Sequence, residues 1–322
     1  MRIDPAIAAL RSDRSLQQQA QAAMGATCAA WRADHAVAPA IEDLDRYGAG
    51  APLEACPALE ALFTGEQGAA DAFADALLRH HLPALAERPF AHPAFRHSHA
   101  GALSTLLLGR AGRACLTIHA RDPGRFDYDL AGYSDAVRYE TVLAGEAEAR
   151  IVRCHREPDG KPHLFIENLR LTSGAAVALD LNSETLQVLA TPIRTVTLRL
   201  QREAADPAPA REHALADGRL LRQASGSIRS SRQEMMVALL GRMKRGEAAP
   251  VLAEMACEPA DPSLRWQALR ESLALDTATG FTALVQLSRR AGDPLAPAAG
   301  ALRAQLVEAH PQLLDLEGAC PA

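Results

Sequence analysis

Between residues 135 and 201 the chain is a succession of short apolar–polar alternations joined by glycine-containing turns. The runs fall at 137–143, 146–154, 164–171, 176–181, 185–190 and 193–200. Runs of this length, mostly about 8–12 residues apart, mark a sandwich or barrel of short antiparallel strands. In the last run Val196, Leu198 and Leu200 alternate with Thr195, Thr197 and Arg199, so one strand face is dry and the other wet. A helix does not keep a period of two. Two further runs, 102–108 and 114–120, flank the turn GRAG at 109–112. RDPGRFD at 121–127, PDGK at 158–161 and TSG at 172–174 carry turn chemistry. A small antiparallel barrel over 95–202 is expected.

The rest of the chain sets this barrel among helices, an α+β arrangement. With 322 residues, 48% of them hydrophobic and 23% charged, there is material for two or three domains. A net charge of -5 gives no global support for nucleic-acid binding, and none is expected. The basic clusters IRSSR and GRMKRGE near 228–247 read as solvated faces. No run approaches the ~20 apolar residues of a membrane span. MRIDPAIAALRSDR lacks the apolar stretch of a secretion signal, so a cytoplasmic location without a membrane partner is expected. Cys28, Cys56, Cys115, Cys154, Cys257 and Cys320 form no CxxC and read as buried free thiols.

Residues 1–94 read as a helical segment. Ser15 is placed to cap a helix through 31, and Pro57 to open another. Over 69–81, Phe73, Leu77 and Leu78 form one stripe. His80, His81, His92, His97 and His99 then crowd a stretch punctuated by Pro83, Pro89 and Pro93. The prolines predict an extended connector, on which the imidazoles either ligate a metal or make surface hydrogen bonds.

The barrel residues carry a resemblance. Tyr139, Val142, Leu143, Ala144, Gly145 and Glu146 resemble a strand-turn-strand step of the cupin family, and Leu171, Thr172, Ser173 and Gly174, with Val177 and Leu179, resemble its second motif. The resemblance implies an RmlC-type jelly roll. It also implies positions for the family's metal ligands, two His and a Glu followed by a His. These fall on Gly132, Ser134, Arg138 and Thr185 or Leu186, none of them that ligand. No cofactor is therefore expected, and a displaced metal site would have to use His97, His99 and His119. Arg138, Glu140 and His119 are instead placed at the mouth of a cavity, where an arginine suits a small carboxylate or phosphate. The plainer alternative is a structural pair of Arg138 with Glu140 or Asp135.

Residues 203–228 are rich in Pro and Ala and read as a linker, and 229–322 as helical. Met235, Met236, Leu239, Leu240 and Met243 share a broad face expected to be core, with a plastic partner surface as the alternative. Asp261–Pro262 recurs as Asp293–Pro294, 32 positions on, and Leu252 and Met255 recur as Leu284 and Leu287 at the same interval. Leu269–Arg270 recurs as Leu302–Arg303. This resembles HEAT-type helical repeats, with Trp266, Leu269 and Leu273 packed inside a pair. A homodimer or a protein partner through these helices is expected. No GxSxG, P-loop or GxGxxG motif is present. Three roles follow: a non-catalytic binding or regulatory protein, a cupin-type metal oxygenase or isomerase with displaced ligands, and an interaction scaffold.

Overall fold

The computed structural model describes residues 14–65, 68–88, 91–156 and 162–317. The turn expected at 158–161, Pro89 and Cys320 lie outside them. The chain divides into two units, residues 1–205 with 212–221, and residues 206–211 with 222–322.

The first unit opens with α1 (Ser15–Arg32), α2 (Ala38–Ala49), α3 (Pro57–Glu60) and α4 (Ala69–Glu87). Ser15 is already helical, and Arg14 holds the cap position with no side-chain bond. Pro57 does open α3, whose free amides at Ala58 and Leu59 donate to the Asp43 carboxylate at 2.8 and 3.2 Å. Helix α4 runs straight through Pro83, where a connector was expected. A proline late in a helix forfeits one amide bond, and burial of Phe73, Ala76, Leu77 and His81 outweighs that loss. Leu78 points away from that stripe and is 50% exposed.

Each alternating run is a strand. The order is β1 (Arg96–Ala100), β2 (Leu103–Ala111), β3 (Ala114–Arg121), β4 (Gly124–Arg125), β5 (Leu130–Tyr133), β6 (Ala136–Ala144), β7 (Glu146–Arg156), β8 (Pro162–Thr172), β9 (Ala176–Asp180), β10 (Glu184–Thr191) and β11 (Thr195–Glu203). One sheet has the order β1-β2-β3-β11-β6-β9, the other β4-β10-β7-β8. The antiparallel pairs β3·β11, β4·β10, β6·β9 and β7·β8 are nested in sequence, as in one long hairpin rolled into two sheets. That connectivity is a jelly roll, and the barrel is not closed. Strand β1 carries His97 and His99 in pairing with β2, on a stretch read as a connector.

The outer face of the six-stranded sheet supplies the largest core. Leu108, Ala114, Leu116, Leu198 and Leu200 pack there with Trp31, Leu44, Tyr47, Leu59 and Phe73 from the helices. Trp31 meets the rings of Phe73 and Phe95 edge-on at 5.7 and 5.3 Å. Helix α2 sits tightly on the β2–β3 turn, where a Cβ on Gly48 would collide with the Ala111 carbonyl. Gly112 in that turn has φ +49, which an L side chain rarely adopts. Arg202 stacks on the Tyr47 ring at 3.9 Å and donates to the carbonyls of Tyr47 and Ala51.

Residues 203–228, expected as a linker, carry two more strands, β12 (Ala210–Ala214) and β13 (Leu220–Ala224). A third sheet has the order β13-β12-β5.

The second unit holds α5 (Ile228–Arg242), α6 (Ala249–Cys257), α7 (Pro262–Leu275), α8 (Thr277–Ser288), α9 (Ala296–Ala309) and α10 (Leu314–Glu317). Its core is built from Val237, Leu252, Leu264, Leu269, Phe281, Leu284 and Leu287. The pairs α6–α7 and α8–α9 each bracket one Asp-Pro step. Asp261 caps α7, accepting from the Ser263 and Leu264 amides at 2.8 and 3.4 Å. Asp293 accepts from the Leu295 amide at 3.0 Å and from both terminal nitrogens of Arg265 at 3.2 and 2.6 Å. That buried guanidinium ties the two hairpins together and holds the Asp293 carboxyl below the usual carboxylate range. The methionine face is a correction: Met235, Met236, Leu239 and Met243 are exposed, and only Leu240 is partly buried. Helix α5 instead packs through Val237 and Gly241, the latter against Glu271 of α7. Trp266 and Leu273 are half-buried against the core, whereas Leu269 is fully enclosed.

Candidate functional site

The inner face of the six-stranded sheet is polar, and strand register says why. Alternation that sends Leu116, Leu198 and Leu200 to the helices sends their neighbours between the two sheets. Thr105 of β2 lies opposite His119 of β3, which lies opposite Thr197 of β11. In the next row Thr117 lies opposite Arg199, and Arg199 opposite Glu140 of β6. Beyond it Cys115 faces Gln201, and Gln201 faces Arg138. Arg121 sits opposite Thr195 and stacks over the Phe126 ring at 4.8 Å.

These side chains form one network. Glu140 is buried, with Oε1 2.8 Å from Arg199 Nη2 and 3.7 Å from Arg138 Nη1. The Arg199 contact is one of charge, because its angles do not meet those of a hydrogen bond. Arg138 donates through Nε and Nη2 to Gln201 Oε1 at 3.0 and 2.9 Å. Burial and the neighbouring Arg199 lower the Arg138 pKa to about 10, so the group is cationic at neutral pH. Burial, helped by Arg199 and Arg138, pushes His119 down to about 3, so its imidazole is neutral. Thr117 donates to the Arg199 carbonyl at 3.4 Å, leaving its oxygen to accept from His119 Nε2 at 3.0 Å. His119 Nδ1 lies 3.5 Å from the Thr105 hydroxyl.

Arg121, Arg138 and Arg199 thus gather around Glu140 on this face, while Arg110 and Glu203 lie toward its Cys115 end. Arg199 Nε is buried and has no acceptor among the described residues. Side-chain exposures of 19% for Arg138 and 21% for Arg199 show that both remain reachable by solvent. His119, Arg121, Glu140, Thr195, Thr197 and Arg199 line a cavity of 30 Å³, closed on the far side by Ala147, Leu171 and Val188. That is room for about one water or the head of a small anion.

Sequence reasoning placed Arg138, Glu140 and His119 together, and the structure brings them into this cluster. The pair of Arg138 with Glu140 named as the plainer reading is present at 3.7 Å. Sequence reasoning missed Arg199, Arg121 and Gln201. The alternation that put Arg199 on the wet face was itself the signal, since that face turns inward. The displaced metal set is not assembled. Register places His119 on the face of Thr105 and Ser98, and His97 and His99 on the opposite face, exposed, with His99 bonded to Ser104 at 2.9 Å. No cluster of three or more His, Cys, Asp or Glu suited to a metal occurs among the described residues. Leu186 lies in an apolar cluster with Ile151 and Leu179.

No protein-family model matches the sequence, and no curated protein matches it. Among solved structures it is similar to the capsular polysaccharide assembling protein CapF from Staphylococcus aureus, with 11% identity, 41% of this chain, 34% of that chain and a TM-score of 0.26. It is similar to the Drosophila melanogaster CENP-C cupin domain, with 11% identity, 33% and 74% covered and a TM-score of 0.27. A putative mannose-6-phosphate isomerase from Ralstonia eutropha JMP134 gives 17% identity, 33% and 88% covered and a TM-score of 0.24. The chain spans about a third of the length of CapF. Likenesses this slight carry no weight for a role, and the jelly roll rests on the strand order. No helix among the described residues is long and apolar enough to cross a membrane.

Proposed function

We propose that the jelly-roll unit is a non-catalytic binding module for a small anion, a carboxylate or phosphate group that enters head-first between the sheets. The observation that carries this reading is the imbalance around the cavity: Arg121, Arg138 and Arg199 against Glu140, with a neutral histidine and an unpaired buried Arg199 Nε. An orphaned buried donor costs about 1–3 kcal/mol unless something accepts from it. An anion supplies that acceptor and a charge that Glu140 alone does not balance. The 30 Å³ cavity limits what is enclosed to a functional group, so the remainder of a ligand stays outside. A covalent role is not supported, because burial pushes the Cys115 thiol up and away from the thiolate form. We read the two Asp-Pro hairpins of the second unit as HEAT-like.

The test is thermal unfolding of the full chain with acetate, malonate, inorganic phosphate and sulfate at constant ionic strength. A ligand at a hundredfold its Kd stabilises by about 2.7 kcal/mol. Stabilisation by a carboxylate or phosphate that disappears in Arg199→Gln supports the reading. Equal response of wild type and Arg199→Gln, or no response to any of the four, sinks it.

A further inference from the structure

Helix α5 presents Met235, Met236, Leu239 and Met243 to solvent at 66%, 56%, 55% and 55% exposure. The positions follow i, i+1, i+4 and i+8, a stripe along one side of a helix whose other side, through Val237 and Gly241, is already packed. With Arg232 and Arg242 the face extends over about three turns, ~16 Å along the axis. Isolated exposed apolar residues need no explanation, but a contiguous stripe marks an interaction site. We propose that this face of α5 is a docking surface for an acidic amphipathic helix of a partner protein.

Charge selects the occupant. Arg229, Arg232, Arg242, Lys244 and Arg245 are all exposed on or just beyond α5. Among the described residues only Arg245 of these has a carboxylate in ion-pair range, Glu247 at 2.9 Å. The one acid within α5, Glu234, lies on its half-buried side with Oε1 shielded from solvent. The apolar stripe is therefore rimmed by cations, which attract an acidic partner and repel a basic one. A second copy fits poorly. Antiparallel packing of α5 on itself about Leu239 would set Met235 against Met243 but would crowd Arg232, Arg242 and Lys244 of both copies together. A lipid surface fits less well than a helix, because the stripe has no Trp or Phe to seat at an interface. Methionine, unbranched and polarizable, adapts to the ridges of a partner helix.

The test uses the full chain and a display library of 18-residue amphipathic helices. Each has the same leucine stripe, with outer positions filled by either Glu/Asp or Lys/Arg. Enrichment of acidic members is expected, with affinity falling at least tenfold in Leu239→Gln and in Arg232→Glu/Arg242→Glu. Both variants should keep the wild-type melting temperature. Met236→Gln serves as a second probe should Leu239→Gln unfold early. Four outcomes overturn the proposal: enrichment of basic members, no enrichment, binding unchanged by the substitutions, or capture by anionic phospholipid vesicles in place of the peptides. A concentration-dependent dimer abolished by Leu239→Gln would assign the face to a second copy and overturn it as well.

Discussion

The two faces of the six-stranded sheet are made by the same strands and differ in almost everything else. Outward, Leu116, Leu198 and Leu200 are fully buried beneath helices that contribute Trp31, Tyr47 and Phe73. Inward, one residue away along each strand, stand Thr117, Thr197 and Arg199, and beside them His119, Arg138 and Glu140. The usual economy of a sandwich puts its core between the sheets. Here the cluster with the most buried residues among those described lies outside the sandwich, between sheet and helices. The space between the sheets is divided between small apolar clusters, around Val142 and Leu171 and around Ile151 and Leu179, and a charged one. The outer face thereby carries most of the packing, so the inner face can keep charges that a close-packed apolar core would not tolerate.

The sharpest test of this contrast substitutes neighbours. Leu198→Ala removes a fully buried side chain from the helix-covered face and should cost about 2–5 kcal/mol. Thr197→Ala, one residue away, should cost under about 1 kcal/mol. Equal losses, measured by urea unfolding, would show that the inner face is as much core as the outer.

A smaller effect is expected from the charged row itself. Glu140→Gln leaves Arg138 and Arg199 facing each other without a carboxylate and should cost about 1–3 kcal/mol, discounted because both arginines are a fifth exposed. In the double variant Glu140→Gln/Arg199→Gln part of this loss should return, since the uncompensated charge is gone. Strict additivity of the two would mean that Glu140 and Arg199 do not act on each other.

Much of this contrast was legible in the residues, and the unread part has a physical cause. Period-two alternation located the strands, because pleating forces successive side chains to opposite faces. It could not say which face meets solvent, since an inward arginine and an outward one look alike in one dimension. Arg138, Glu140 and His119 were reached through strand position, whereas Arg199 and Gln201 become their neighbours only through pairing of β11 with β6, about sixty residues apart. Proline content misled at Pro83, where tertiary packing of α4 overrode a local preference. On α5 the apolar spacing was read correctly as a face, and burial was wrongly inferred from it. Val237 and Gly241 fill the contact instead, leaving the methionines outside.

Acid sharpens the comparison further. Burial, with the nearby Arg199 and Arg138 charges, holds folded His119 at about 3, well below the ordinary imidazole value of about 6.5. Its folded pKa is depressed, so the unfolded chain binds more protons between those values. The stability it contributes is complete above about pH 6.5 and is lost as pH falls toward 3. One such group gives a slope of at most about 1.4 kcal/mol per pH unit. His81 on α4 is also lowered by burial, so the wild-type slope contains both histidines. The difference between wild type and His119→Gln isolates the inner face: the variant should lose less stability between pH 6.5 and 4.5. Parallel stability–pH curves would place His119 in water.

The smallest change in stability should come from Arg199→Lys, and it separates an anion site from a structural ion pair. A lysine ammonium can still neutralise Glu140, so if pairing is all that Arg199 does, the variant should unfold within about 1 kcal/mol of wild type and respond to anions as wild type does. If the guanidinium also reads an anion through its buried Nε, lysine cannot replace it, because an ammonium has no second donor fixed in the same plane. Stability would then be nearly kept while stabilisation by acetate or phosphate disappears. Arg138→Lys provides the control. Its Nε and Nη2 are already engaged by Gln201, so an anion gains less from them, and the response should fall less than in Arg199→Lys. A larger loss at Arg138 than at Arg199 would move the anion to the Gln201 end of the row and away from the cavity lined by His119 and Thr197.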